Sequence, residues 1–348
     1  MEDEIEEEKP KYEITDIILG KGTSGEVFLC NNIEDKKQYA AKLISKNLLE
    51  NEEKLLSIED EILISTTCQH KNLVKVYDLI QIKEQKYLIL EYCNGGDLLS
   101  ALKNYRLKYG EVIEENIIRN IILDIFSGLK CLHDNNIIHH DIKPQNILLK
   151  YENEDDLNNI NFSNCTFKIT DFSASTNLKE KDESNVKVKG TPLYMEPLLF
   201  EKDVKFEVIE NKKVDIWSLG ILTYELLFNC NPFYNNKFDE SSINDLIASF
   251  KRETYIFDFL IRKEISFQVV CFVNNCLQYK QDKRLDCEIL QFSEFLTRDI
   301  GKFSFLNIDN LWEFFHHDYI TNDKKAIILN IKDDRRLNEE IDMFYFFF

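Results

Sequence analysis

A chain of 348 residues, 44% hydrophobic and 30% charged, has enough apolar surface to bury one or two cores. Its formal net charge of -19 repels nucleic-acid backbones and acidic membranes, yet permits a small phosphate ligand held locally. Nine cysteines, an odd count without a CxxC pair, point away from a zinc ribbon or disulfide framework and toward a reducing cytoplasmic or nuclear setting.

Residues 1–11, MEDEIEEEKPK, read as a solvated acidic arm, acidic where a secretory leader would be basic and then apolar. From Tyr12, short apolar and β-branched segments alternate with turns: ITDIILGKG, EVFLCNN and KQYAAKLI. A helical stretch follows over about 51–66, then two more strands, LVKVYDLI and KYLILEY. Beyond a hinge at residues 92–96 the period changes to helical over 97–105, 114–134, 213–228, 241–250, 262–277 and 286–297. The pattern predicts an α+β chain. A small antiparallel-sheet lobe with one main helix, 12–92, meets a larger, mostly helical lobe, 97–297, across a cleft. The Asn/Asp-rich patch YENEDDLNNINFSN reads as a surface insertion within a hairpin. Residues 298–348 form an extension expected to be partly helical, with Phe303, Leu311, Trp312 and Phe314 in need of burial. No run reaches the ~20 apolar residues of a membrane span, so no membrane insertion is expected.

Three clusters carry chemistry. LGKGTSGEV places Gly20, Gly22 and Gly25 between two strands, where backbone N–H groups can approach a polyphosphate without a Cβ in the way. Lys42, on the next strand, is a candidate phosphate clamp, and the helix after it offers Glu59 and Glu61 to hold its stem. IIHHDIKPQN crowds two histidines, an aspartate, a lysine and an asparagine between apolar runs. Adjacent histidines without a cysteine pair make a poor zinc site, so His139 is read as a packed structural residue.

Taken in order and spacing, these clusters make the chain resemble the eukaryotic protein kinases, serine/threonine type, over residues 12–297. The resemblance implies the bilobal kinase fold and transfer of the γ-phosphoryl group of ATP to Ser/Thr hydroxyls of protein substrates, with Mg2+ as cofactor. It makes Gly20, Gly22 and Gly25 the phosphate loop, and Val27, Ala40 and Leu148 the walls around adenine. Glu91 to Cys93 become the hinge, Leu90 the gatekeeper and Asp97 a ribose contact. HHDIKPQN implies Asp141 as base, Lys143 as a phosphoryl-steadying cation and Asn146 as a metal ligand; ITDFS implies Asp171 as the main metal ligand. Thr191 is expected to bridge toward Asp141 and Lys143, and Asp215 to hold the catalytic-loop backbone. Lys42 pairs the α/β-phosphates, and counting back from His70 favours Glu61 over Glu59 as its partner. That register puts Ser65 where the family places a leucine. The fragments EYCNGGDL and GTPLYMEP resemble the autophagy-initiating kinases.

Three positions depart from the pattern. His140 replaces the arginine that pairs an activation-loop phosphate, so less dependence on a single phosphate is expected, with Ser173, Ser175, Thr176 and Ser184 the hydroxyls on offer. Ser173 replaces the flexible glycine after Asp-Phe. Leu198 replaces the acid that pairs a buried arginine, here Arg284, leaving Glu196 or Glu201 to substitute. The rival reading is a pseudokinase, with the same fold, a regulatory task and no turnover; against it stand Lys42, Asp141, Lys143, Asn146 and Asp171, all retained.

Overall fold

Five strands build the first lobe. In the computed structural model, which describes residues 11–22, 25–44, 61–179, 187–201, 204–233, 244, 247, 248 and 265–297, they are β1 (Tyr12–Gly22), β2 (Gly25–Asn32), β3 (Gln38–Ile44), β4 (Val76–Ile82) and β5 (Gln85–Glu91). They form one antiparallel sheet in the order β1-β2-β3-β5-β4. Successive residues point to opposite faces. Ala40, Leu88 and Leu90 therefore join Val74 and Cys93 on one side, while Ala41, Tyr87 and Ile89 join Tyr12 and Cys30 on the other. Strand β4 alternates between half-buried and exposed residues, as a sheet edge should.

The second lobe is organised around two helices. Helix α3 (Glu115–Asp134) buries Ile118, Ile121, Ile122, Ile125, Leu129 and Leu132 along one stripe. Helix α4 (Lys213–Phe228) is buried nearly all round, and Trp217 and Leu219 have no solvent exposure. Between the lobes, helix α1 is described over residues 61–67, and α2 (Leu98–Tyr109) follows the hinge. Ile64 of α1 lies in the large lobe's apolar cluster with Leu73 and Ile169, so α1 is packed between the two cores.

The catalytic segment lies on short pairs: β6 (Ile137–Ile138) with β9 (Thr176–Asn177), and β7 (Ile147–Tyr151) with β8 (Cys165–Ile169). The Asn/Asp-rich patch is the β7–β8 connection and holds a helical turn, Glu154–Asn159. Asp156 fastens it by accepting from the side chains of Asn153, Asn161 and Asn164.

Two expectations of continuous helix change. Helix α5 (Phe267–Cys276) begins later than 262, capped by Ser266, whose side chain accepts from the Val269 amide. The stretch 286–297 is two single turns, Cys287–Leu290 and Glu294–Thr297, because the chain swings through Gln291–Ser293 and leaves Phe292 in solvent. The expectations for the acidic arm, for Glu59, for most of 241–250 and for the extension 298–348 lie outside the described residues. Among the described residues no helix is long and apolar enough to cross a membrane.

Candidate active site

The glycine hairpin opens the site. Gly20 pairs with Val27, and Gly22 with Gly25, across β1 and β2. A Cβ on Gly20 would meet nothing within 4 Å, so the hairpin leaves space at that point. Gly25 differs: its φ is +127° and a Cβ would lie 2.6 Å from the Leu43 carbonyl oxygen, so the β2–β3 approach requires glycine there. Val27, Ala40, Leu90, Cys93 and Leu148 belong to one apolar cluster, to which β2, β3, the hinge and β7 all contribute. These residues would wall a slot of the kind that a flat heterocycle needs.

On β3, Lys42 points to the same face as Ala40 and is buried. Its Nζ lies 2.8 Å from Glu61 Oε2, 3.1 Å from Glu61 Oε1 and 3.5 Å from Asp171 Oδ1. Burial lowers the ammonium's pKa, and the two carboxylates outweigh burial, so Lys42 stays charged. Glu61 is thus the partner, as favoured. The Ser65 that follows from this register is buried and accepts a hydrogen bond from the Val76 amide at 2.7 Å.

Around Asp141, three side chains converge. Lys143 Nζ lies 2.7 Å from Asp141 Oδ2 and donates to Thr191 Oγ1 at 2.6 Å. Thr191 Oγ1 in turn donates to Asp141 Oδ1 at 2.7 Å. Asn146 Nδ2 donates to the Asp141 carbonyl at 2.8 Å and to its Oδ2 at 2.9 Å. Beneath this loop Asp215 is fully buried and accepts from the amides of His139 and His140, both at 2.8 Å. That fixes the loop's path by two charge-assisted bonds.

Asp171 joins the same pocket through the backbone. The amide of its neighbour Thr170 donates to the Asn146 carbonyl at 3.0 Å, and the Thr170 carbonyl is 3.1 Å from His139 Nε2. The His139 ring meets Phe172 edge-on at 5.6 Å, so it is the packed residue expected. Burial would raise the Asp171 pKa, but Lys42, Ser173 and His139 together outweigh it, Ser173 Oγ donating to Oδ1 at 2.8 Å, and the carboxyl is held below its ordinary value. The serine that replaces glycine here grips the neighbouring carboxylate.

The donors fit Mg2+. Asp171 supplies an ionised carboxylate, and both side-chain hydrogen bonds described for Asn146 run from its Nδ2, leaving Oδ1 as a hard oxygen. The pocket also suits a triphosphate, because Lys42 and Lys143 bring positive charge to a chain of net charge -19.

The remaining residues are placed less directly. Glu91 turns its side chain away from the slot, to Lys150 Nζ at 2.6 Å and Lys168 Nζ at 3.1 Å. Asp97 caps α2, accepting from the Ser100 amide at 2.9 Å and its hydroxyl at 2.8 Å. Arg284 finds its acid in Glu196, at 2.6 Å with both side chains fully buried, while Glu201 accepts from Tyr279. His140 Nε2 is 3.1 Å from Thr176 Oγ1.

Sequence reasoning missed His133, whose Nε2 is 2.9 Å from Asp215 Oδ2. The signal was available: position 133 falls on the α3 stripe of Ile118, Ile122, Ile125 and Leu129, an unusual place for a histidine. The lysines on Glu91 had no such local signal.

A family model for the protein kinase domain matches residues 13–296. Calcium-dependent protein kinase 5 of Plasmodium berghei is 32% identical over 276 residues, 79% of this chain and 44% of that protein. Its namesake in Plasmodium falciparum is 30% identical over 344 residues, 96% of this chain and 55% of that protein. Calcium/calmodulin-dependent protein kinase type 1 of Caenorhabditis elegans is 31% identical over 283 residues, 80% and 72% of the two chains. The chain thus spans about half the length of the Plasmodium relatives it matches.

Proposed function

We propose that this chain, which belongs to the protein kinase family, transfers the γ-phosphoryl group of ATP to serine or threonine hydroxyls of protein substrates. The observation that carries this reading is the convergence of Lys42, Glu61 and Asp171 with Asp141, Lys143, Asn146 and Thr191 beneath one glycine hairpin.

In this reading the apolar slot between Val27, Ala40 and Leu148 takes the adenine, and Lys42, steadied by Glu61, takes phosphate oxygens. Asp171 and Asn146 would hold Mg2+, which supplies the positive charge that neutralises the polyphosphate. Asp141 orients the acceptor hydroxyl and takes its proton as that oxygen bonds to the γ-phosphorus and the bond to the departing ADP oxygen breaks. Its carboxylate is held at both oxygens, by Thr191 and by Asn146, and so is aimed before substrate arrives. Lys143, shared between Asp141 and Thr191, places its charge beside the group in flight.

Serine/threonine preference is supported by the Lys143–Thr191–Asp141 contacts. The finer likeness to autophagy-initiating kinases rests on EYCNGGDL and GTPLYMEP alone, and calcium dependence is said only of the relatives. Nine free thiols suit a cytoplasmic or nuclear location.

The test is purified chain with Mg2+, labelled ATP and a generic basic protein, beside Lys42→Met, Asp171→Asn and Asp141→Asn. Transfer by the wild type is expected, with Asp141→Asn slower by about a hundredfold to ten-thousandfold. Nucleotide binding without transfer in the wild type would overturn the enzyme reading in favour of a regulatory scaffold.

A further inference from the structure

Helix α1 carries Glu61, so whatever seats α1 against the sheet decides whether Lys42 has its partner. Four of its described side chains face inward. Glu61 reaches Lys42, Ile62 packs on the cluster of Ala40 and Leu88, and Ile64 is buried in the large lobe's core. The fourth, Ser65, lies one helical turn beyond Glu61 on the same face and is only 8% exposed.

Its hydroxyl oxygen accepts from the backbone N–H of Val76, at 2.7 Å. Val76 opens β4 where the pairing with β5 slips register between Val76 and Asp78. Such an irregularity leaves a strand amide in need of a partner, and Ser65 supplies it. The bond differs from an apolar contact in one respect that matters: it is directional. A leucine against the sheet tolerates small rotations of the helix, whereas an N–H···O bond weakens steeply as its angle opens. A helix latched at residue 65 therefore presents residue 61, four positions earlier, at a fixed azimuth.

We propose that Ser65 is a positioning residue, a polar latch from α1 to β4 that sets the Lys42–Glu61 pair in place of the apolar side chain expected at this site. The inference rests on the kinase reading above, since that reading is what makes the pair matter to a rate. Alanine at 65 leaves the Val76 donor unpaired. Leucine leaves it unpaired and adds volume to a closed space. Threonine keeps the oxygen.

The experiment compares wild type, Ser65→Ala, Ser65→Leu and Ser65→Thr for kcat, KM for ATP and amide exchange at Val76. Ser65→Ala and Ser65→Leu are each expected to lose roughly tenfold in kcat with faster Val76 exchange, while Ser65→Thr stays within about twofold on both. In a Glu61→Gln background Ser65→Ala should add little further loss, because both changes act through one pair. A Ser65→Leu variant as active as wild type would overturn the latch, as would an undiminished effect of Ser65→Ala in the Glu61→Gln background. Ser65→Cys, with a weaker acceptor, carries the comparison if the alanine variant does not fold. If the wild type transfers no phosphoryl group, the kinase reading fails separately. The latch then stands or falls on Val76 exchange: acceleration in Ser65→Ala but not in Ser65→Thr supports it, and no change overturns it.

Discussion

His140 sits on a backbone with φ of 66°, a conformation that a non-glycine residue adopts only where its surroundings hold it. Asp215 does the holding, through the His140 amide, and the ring is carried inward to Thr176. Burial is the largest cause of its lowered pKa. Asp215 opposes the shift and Lys189, His139 and His133 add to it, bringing the value from 6.5 to about 4. Between pH 6.5 and about 4 the unfolded chain binds a proton at this histidine that the folded chain refuses. Stability therefore falls as pH drops through that window, by on the order of 3 kcal/mol if the whole window is crossed. Asp171 and Asp215, whose pKa values are also lowered, add their losses only below the ordinary carboxylate range. Urea midpoints at pH 7 and pH 5 check this: wild type should lose stability, and His140→Gln, which cannot titrate, should show a flatter profile. Equal slopes in both proteins would refute the assignment. Charge is also why the residue changes the switch, because a neutral imidazole cannot form the fork by which arginine grips a phosphate.

The element that such a phosphate would act on is the activation segment, and its first part is already tied down. Strand β9 pairs with β6, Thr176 opposite Ile138, and the Thr176 hydroxyl faces His140. Ser173 holds Asp171, and Ser175 is buried; Ser184 lies outside the described residues. Thr176→Ala should thus remove one neutral hydrogen bond and cost less than about tenfold in kcat, and Ser184→Ala should likewise keep most of the rate, since a neutral His140 does not grip a phosphate. Phosphatase treatment of wild-type protein should leave most of the rate. Loss of activity in the alanine variants, restored by an acidic residue at the same position, would show that a phosphate is required after all. The same element shows how far sequence can be read. Asp141, Lys143, Asn146 and Asp171 were legible because phosphoryl transfer demands those groups in that order within short spans. The five strands were legible because short apolar, β-branched runs lie between turn residues, and the helices 115–134 and 213–228 because each is an apolar-rich run too long for a strand. Short-range punctuation was harder: the turn at Gln291–Ser293 interrupts an apolar spacing that helical turns on either side would equally produce. Partners far apart in sequence were harder again. Glu196 or Glu201 for Arg284 was an open choice, because only the fold decides which acid lies beside a buried arginine 88 residues away.

At the scale of the whole molecule the structure places a buried charge cluster at the junction of the two lobes, whose relation the proposed nucleotide site depends on. Glu91, the last residue of β5, meets Lys150 of β7 and Lys168 of β8, and Lys168 also donates to the Lys71 carbonyl ahead of β4. Burial pushes the Glu91 carboxyl up, but the two lysines outweigh it and hold its pKa below the ordinary value. The lysines are not equivalent: the Lys168 side chain is 7% exposed and that of Lys150 34%, so only Lys150 can turn to water once its partner is gone. Glu91→Ala should therefore cost about 3–5 kcal/mol, the penalty of leaving a buried charge uncompensated. Lys150→Met should cost less, about 1–3 kcal/mol, because the buried Glu91 loses one charged hydrogen bond and keeps Lys168 as its counter-charge. Replacing both buried partners, in Glu91→Leu/Lys168→Met, should recover most of the loss, because a buried ion pair contributes little net stability over an apolar pair of similar volume. Denaturation of the three variants measures the stability order, and KM for ATP measures whether the hinge backbone moves with it. A Glu91→Ala protein as stable as wild type would mean that the cluster is solvated in solution and does not clamp the lobes.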